Sequence, residues 1–244
     1  MRENQYLIFD IETVALPFDG FDDGQQEYLL RGTSTPEEQT KKKNEMALSP
    51  LTSQVVCIGI QHMKYENDTW EVLKKSALSL DPALEDGFKK SEQLPSGSDI
   101  YYYSEKTLLE KFWQGLSKND GIHLVSFNGR NFDAPFLMMR SAVLRVKPAR
   151  NLMQGTKFNY AKHTDLLDEL CFFTPQQSGA TRRYNFDFFA KSFGIVSPKG
   201  EGIDGSKVGD FFKEGKYEDI AEYCLRDVSA TWELFRVWDE YLRF

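Results

Sequence analysis

Hydrophobic and polar positions alternate along residues 6–12, Tyr-Leu-Ile-Phe-Asp-Ile-Glu, in the two-residue period of a β-strand. In that period Tyr6, Ile8, Asp10 and Glu12 share one face, while Leu7, Phe9 and Ile11 share the other. Apolar side chains on both faces predict a strand inside a sheet. Further strand signals fall at residues 54–63, 69–73, 122–127 and around 164–166. Ser104 can cap a helix carrying Leu108, Leu109, Phe112, Trp113 and Leu116, and residues 185–193 read as a helix stopped by Gly194. Another helix enters at Phe132 and Asp133, takes Pro135 in its first turn and runs to about Val146. Residues 216–242 keep helical spacing at Ile220, Cys224, Val228, Thr231 and Phe235. Three early strands, alternating helix and strand, then closing helices predict an α/β chain with a mixed sheet flanked by helices.

The long connections modify this outline. Residues 15–53 are far more than a hairpin loop. Thr35 and Glu38 form a capping box ahead of Lys41, Lys42 and Lys43, so helix is expected there. This insertion leaves the strand of Asp10 and Glu12, and either shapes a substrate's entrance or forms a peripheral arm. Residues 81–98 read as a polar surface loop, and residues 199–205 are Gly-rich without a phosphate-binding pattern. No repeat is evident, and residues 1–244 are read as a single domain.

At 244 residues and 41% hydrophobic content the chain can bury one large core, and no apolar run reaches the roughly 20 residues of a membrane span. The first strand begins near Gln5, leaving no room for a secretory leader, and Cys57, Cys171 and Cys224 have neither metal nor disulfide spacing. A reducing cytoplasm is the expected location. The formal charge of −7 argues against a polyanion as partner. Its distribution softens that argument, because residues 134–164 lack acids and carry Arg140, Arg145, Lys147, Arg150, Lys157 and Lys162, with Phe158 and Tyr160 interleaved. That segment is either a track for a single strand or a solvated helix face followed by a loop. Arg182 and Arg183 form a second basic candidate.

Three motifs carry candidate chemistry: Asp10 and Glu12 in FDIET, Asp133 in FNGRNFDAPFL, and Tyr223 with Asp227 in YCLRD. Each has an ordinary structural reading. The first pair could be the polar end of a strand, and Asp133 could serve free amides at a helix start. Asp227 could pair with Arg226 or Arg183, and Tyr223 could be a core ring. Gathered together, however, four carboxylates about 5 Å apart would repel by about 3 kcal/mol per pair at an effective dielectric near 20. Such a group protonates, splays or binds hard cations.

FDIET, N-x-x-x-F-D and Y-x-x-x-D in this order resemble the three motifs of the DEDD (DnaQ-like) exonuclease superfamily, tyrosine subclass. The likeness is greatest to the exonuclease domain of family B DNA polymerases and to stand-alone predicted exonucleases related to it. It extends through SFNGRNFDAPFL, HTDLLDEL, GIDGSKV and YCLRDVSATWELF, and so covers most of the chain. The histidine subclass would carry His five residues before the last Asp, where this sequence has Glu222.

The resemblance implies a ribonuclease H-like fold and two-metal phosphodiester hydrolysis with Mg²⁺ or Mn²⁺. It implies that Asp10 bridges both ions, that Glu12 and Asp227 complete one shell, and that Asp133 holds the second ion mainly through water. Tyr223 is then expected to orient the attacking water, since a phenol with a reference pKa near 10 is a poor base at neutral pH. Asn128 is expected at the terminal nucleotide, Phe127 and Phe132 either stack on bases or pack in the core, and Arg150, Lys157, Arg182 and Arg183 are candidates for the strand. The expected activity is 3′-to-5′ exonuclease on single-stranded ends, DNA ahead of RNA. Competing readings are a catalytically silent binding or polymerase-accessory module, an RNA-processing exonuclease, and an endonuclease of related fold. The last motif lies close to Phe244, so an attached polymerase is not expected, and a DNA polymerase or repair protein in trans stays open as a partner.

Overall fold

The structure, a computed structural model, describes residues 3–119, 121–197 and 203–243. Its central strand is β1 (Gln5–Ala15), whose apolar residues on both faces find partners on both sides. On one side Phe9 meets Phe112 of α3 (Glu105–Lys118), with ring centroids 6.1 Å apart. On the other Tyr6 meets Phe235 of α8 (Tyr217–Tyr241) at 5.1 Å. Asp10 lies on the side facing α8.

The sheet has seven strands in the order β4-β5-β3-β2-β1-β6-β7. β2 (Ser53–Glu66) runs antiparallel to β1, and β3 (Thr69–Leu80) antiparallel to β2. β6 (His123–Ser126) and β7 (His163–Asp165) extend the other side in parallel. The expected mixed α/β sheet is therefore present. Residues 81–98, read as a loop, are corrected: they contain the strand β4 (Lys90–Gln93), which pairs antiparallel with β5 (Asp99–Tyr103), and β5 runs parallel to β3. All four residues of β4 are exposed, so no hydrophobic alternation announces this edge. β3 also continues past the expected Leu73 to Leu80, because Lys74 and Lys75 interrupt the apolar pattern without interrupting the ladder.

The connection after β1 holds α1 (Asp23–Leu29) and α2 (Pro36–Glu45), and the capping box of Thr35 and Glu38 is formed as expected. Ser104 caps α3, accepting the Thr107 N–H. Short helices α5 (Leu166–Leu170), α6 (Phe186–Ser192) and α7 (Val208–Lys213) complete the helical layers. Of the Gly-rich stretch 199–205, residues 199–202 lie outside the described residues.

α4 (Asp133–Val143) is fixed by an ion pair in the interior. Arg140 donates to both oxygens of Glu105 at 2.7 Å, and Glu105 Oε1 also accepts the Val55 N–H at 2.8 Å. Both side chains are about nine-tenths buried, so removing one partner would strand a charge at a cost of about 3–5 kcal/mol. The pair binds α3 and α4 to β2, and with them the start of α4, where Asp133 stands.

Candidate active site

β1 outruns its neighbour β6, since the parallel ladder joins only Tyr6, Leu7 and Ile8. The Ile11 N–H, beyond that ladder, donates instead to Asp133 Oδ1 at 3.0 Å. Asp133 is 3% exposed at the first position of α4. The second motif is thereby fastened to the backbone between the two acids of the first.

α8 brings the third motif across the same strand. Cys224 Sγ lies 3.5 Å from the Asp10 carbonyl oxygen and 3.8 Å from Asp10 Oδ2. This approach depends on Gly59, the β2 partner of Asp10. A Cβ built there would stand 2.9 Å from Cys224 Sγ and 3.0 Å from Val228 Cγ2. On the same helix Tyr223 and Asp227, one turn apart, face the acids, and the phenol feels the charges of Asp227, Glu12 and Asp10. Asp227 is not paired with Arg183, which donates to Asn128.

The four acids act on one another electrostatically. Burial raises the Asp10 carboxyl well above the carboxylate range, and Asp133, Asp227 and Glu12 push it the same way. Glu12 is raised by burial and then by Asp227, with Cys57 and Asp133 adding to it. Burial lifts Asp133 to about 7, helped by Asp165 and Asp227 and opposed by N–H donors from its own backbone and Ile11. Burial and the same acids raise the Tyr223 phenol, so it stays protonated.

Ligand atoms of Asp10, Glu12 and Cys224 lie within 4.8 Å of one another. The thiol is held protonated by burial and by neighbouring Cys57 and Asp10. The donors are thus hard carboxylate oxygens with no histidine, a set that suits Mg²⁺ or Mn²⁺.

The remaining candidates separate into two groups. Asn128, Lys157 and Arg183 line one cavity beside the turn that leads to Asp133. Arg182 stands close by in sequence with its guanidinium 4.9 Å from the Tyr184 ring centre. By contrast, Phe127 packs against Phe186 and Phe189, and Phe132 against Phe136. Arg150 is committed to the Ile122 carbonyl at 3.1 and 3.2 Å, and Arg140 to Glu105. The basic track of residues 134–164 is therefore shorter than its sequence suggests.

Sequence reasoning missed Asp165, Arg130, Cys224 and Gly59 as parts of the site. Asp165 accepts the N–H groups of Asn128, Arg130 and Leu167 at 2.8, 2.8 and 3.0 Å, and so fixes the turn before Asp133. Its position ahead of the apolar run Leu166-Leu167 was the available signal.

Residues 83–241 match the family described as predicted 3′-5′ exonucleases related to the exonuclease domain of PolB. The chain belongs to this family. Membership of a family of predicted exonucleases marks the chain as an enzyme. The match includes the second and third motifs, while FDIET lies outside the matched residues. An uncharacterized protein of Methanocaldococcus jannaschii is 27% identical over 152 residues, covering 55% of this chain and 74% of that protein. In structure the chain is similar to the family B DNA polymerase of the hyperthermophilic archaeon Pyrobaculum calidifontis, with a TM-score of 0.56 and 18% identity. That likeness covers 97% of this chain and 25% of the polymerase, so the chain spans about a quarter of its length. It establishes the ribonuclease H-like fold. Among the described residues no helix is long and apolar enough to cross a membrane.

Proposed function

We propose that the chain is a metal-dependent exonuclease of the tyrosine subclass that removes nucleotides from the 3′ end of single-stranded nucleic acid, DNA in preference to RNA. Residues 1–244 act in this reading as one domain. The observation that carries it is the convergence at Ile11, where Asp133 binds the backbone between Asp10 and Glu12 while Asp227 acts electrostatically on both acids.

Asp10, Glu12, Asp133 and Asp227 would hold two divalent cations, Mg²⁺ or Mn²⁺. Bound there, such ions supply Lewis acidity toward water and toward the phosphodiester. The chain's own residues do the positioning. Asp133 is held through the Ile11 N–H, so this carboxylate is oriented before substrate arrives. Tyr223 keeps its proton and orients water through its hydroxyl, not as a base. The buried helix α8 excludes bulk solvent from the face behind Asp10.

The test is digestion of 5′-labelled linear oligonucleotides, DNA and RNA side by side, in Mg²⁺ or Mn²⁺. Stepwise shortening from the 3′ end is expected, with circular single strands left intact. Asp10→Ala and Asp227→Ala are each expected to lower the rate by at least about 100-fold with unchanged circular dichroism. Unaltered digestion in either variant refutes the assignment. Strand binding in chelator without nucleotide release after metal is restored would favour the silent module.

A further inference from the structure

The turn that delivers Asp133 also forms the wall of a cavity of about 440 Å³. Three cations, Arg130, Lys157 and Arg183, face it together with Asn128 and a single carboxylate, Asp168. Asp168 is already engaged, accepting the Tyr160 hydroxyl at 3.1 Å. Among the described residues no carboxylate pairs with any of the three cations, in a chain whose formal charge is −7. Three cations outside any ion pair, gathered on one cavity, suit an anion.

Arg130 makes the strongest case. It is 9% exposed, and its guanidinium carbon lies 3.7 Å from the centre of the Tyr160 ring. One terminal nitrogen reaches the carbonyls of Leu152 and Gln154 at 3.5 and 3.3 Å, so the partners that the guanidinium touches are neutral. Arg183 is oriented by its 2.7 Å bond to Asn128 Oδ1. Asp165 holds the Asn128 and Arg130 backbones, so the cavity wall is fixed relative to Asp133. Met153 and Leu167 give the cavity an apolar side suited to a sugar or base.

We infer that this cavity seats a backbone phosphate of the substrate strand away from the bond that is cut, with Lys157 and Arg183 as its contacts and Arg130 as the buried counter-charge. The inference rests on the exonuclease reading above and assigns the strand a second point of attachment. A phosphodiester of the strand is favoured over a free mononucleotide because the cavity begins on the turn that carries Asp133.

The test measures binding of a 5′-fluorescein single-stranded DNA to the Asp10→Asn protein in chelator, which keeps the strand intact. Adding K157A and R183A is expected to weaken binding by about tenfold or more and to reduce the slope of log affinity against log salt by about one per cation. The pair K89A and K118A, which removes equal charge elsewhere, should leave affinity within twofold. A single methylphosphonate near the 3′ end should weaken binding to the Asp10→Asn protein and not to the triple variant. Equal affinity of the triple variant and its parent overturns the inference, as does a loss matched by K89A and K118A. Displacement by inorganic phosphate or deoxyadenosine monophosphate without any methylphosphonate effect also overturns it, since the cavity then holds a free anion. A wild-type protein that shortens oligonucleotides while the triple variant binds normally sinks this inference alone. One that neither binds nor shortens them sinks both.

Discussion

Asp10 is held among charges of its own sign, and this makes the metal-free site a source of instability. Asp133, Asp227 and Glu12 all act on it, and burial adds to their effect. An amide in its place keeps the shape and removes the charge. We therefore expect Asp10→Asn, in chelator, to be more stable than wild type by about 1–3 kcal/mol, while losing nucleotide release. Denaturant midpoints measure this, and a less stable variant would show that the acids are balanced by something else. Asp10, Glu12, Asp133 and Asp227 are legible as candidates in the sequence because each sits in a short motif with its own signature. Gly59 and Cys224 could not, since their importance lies in a contact between segments far apart in the chain. Arg150 shows the opposite failure: its charge is visible in the sequence, and its engagement by the Ile122 carbonyl is not.

At the scale of elements, the seat of α8 on β2 decides whether the third motif reaches the first. Gly59→Ala would place a methyl 2.9 Å from Cys224 Sγ and 3.3 Å from the Cys224 backbone carbon. The helix must then lift, carrying Tyr223 and Asp227 away from Asp10. A loss of about 1–3 kcal/mol in stability is expected, with a fall in turnover that exceeds the loss of folded protein. Cys224→Ala in the same chain relieves the nearest contact and should restore part of both, and a Gly59→Ala protein with wild-type stability and rate would dismiss this account. The helices themselves were legible: Ser104, Thr35 with Glu38, and the stripe of α8 are local signals, each fulfilled. β4 was not, because an exposed edge strand of Lys, Ser, Glu and Gln takes its structure from the neighbouring β5 and not from its own pattern.

For the molecule as a whole, two histidines under the turn of Asn128 link folding to pH. His163 bonds Ser126 Oγ at 2.8 Å and His123 bonds Thr164 Oγ1 at 2.8 Å, joining β6 to β7. Burial pushes His163 down to about 3 and His123 to about 4, and neither Nδ1 has a partner among the described residues. Imidazoles of the unfolded chain accept a proton near 6.5. Between that pH and about 3 the unfolded state binds more protons, so this contribution is complete above 6.5 and is lost as the pH falls. Asp165 works in the other sense: burial raises it to about 6, so its contribution fades as the pH rises from the usual carboxylate range toward 6. The raw stability profile therefore mixes opposing slopes, and a variant must separate them. His163→Gln keeps a polar group for Ser126 and cannot titrate. Urea midpoints at pH 7, 6, 5 and 4 in chelator should show wild-type stability falling more steeply than the variant's, by up to about 1.4 kcal/mol per pH unit below 6. Parallel curves would mean that His163 takes up its proton without loss of the β6–β7 junction.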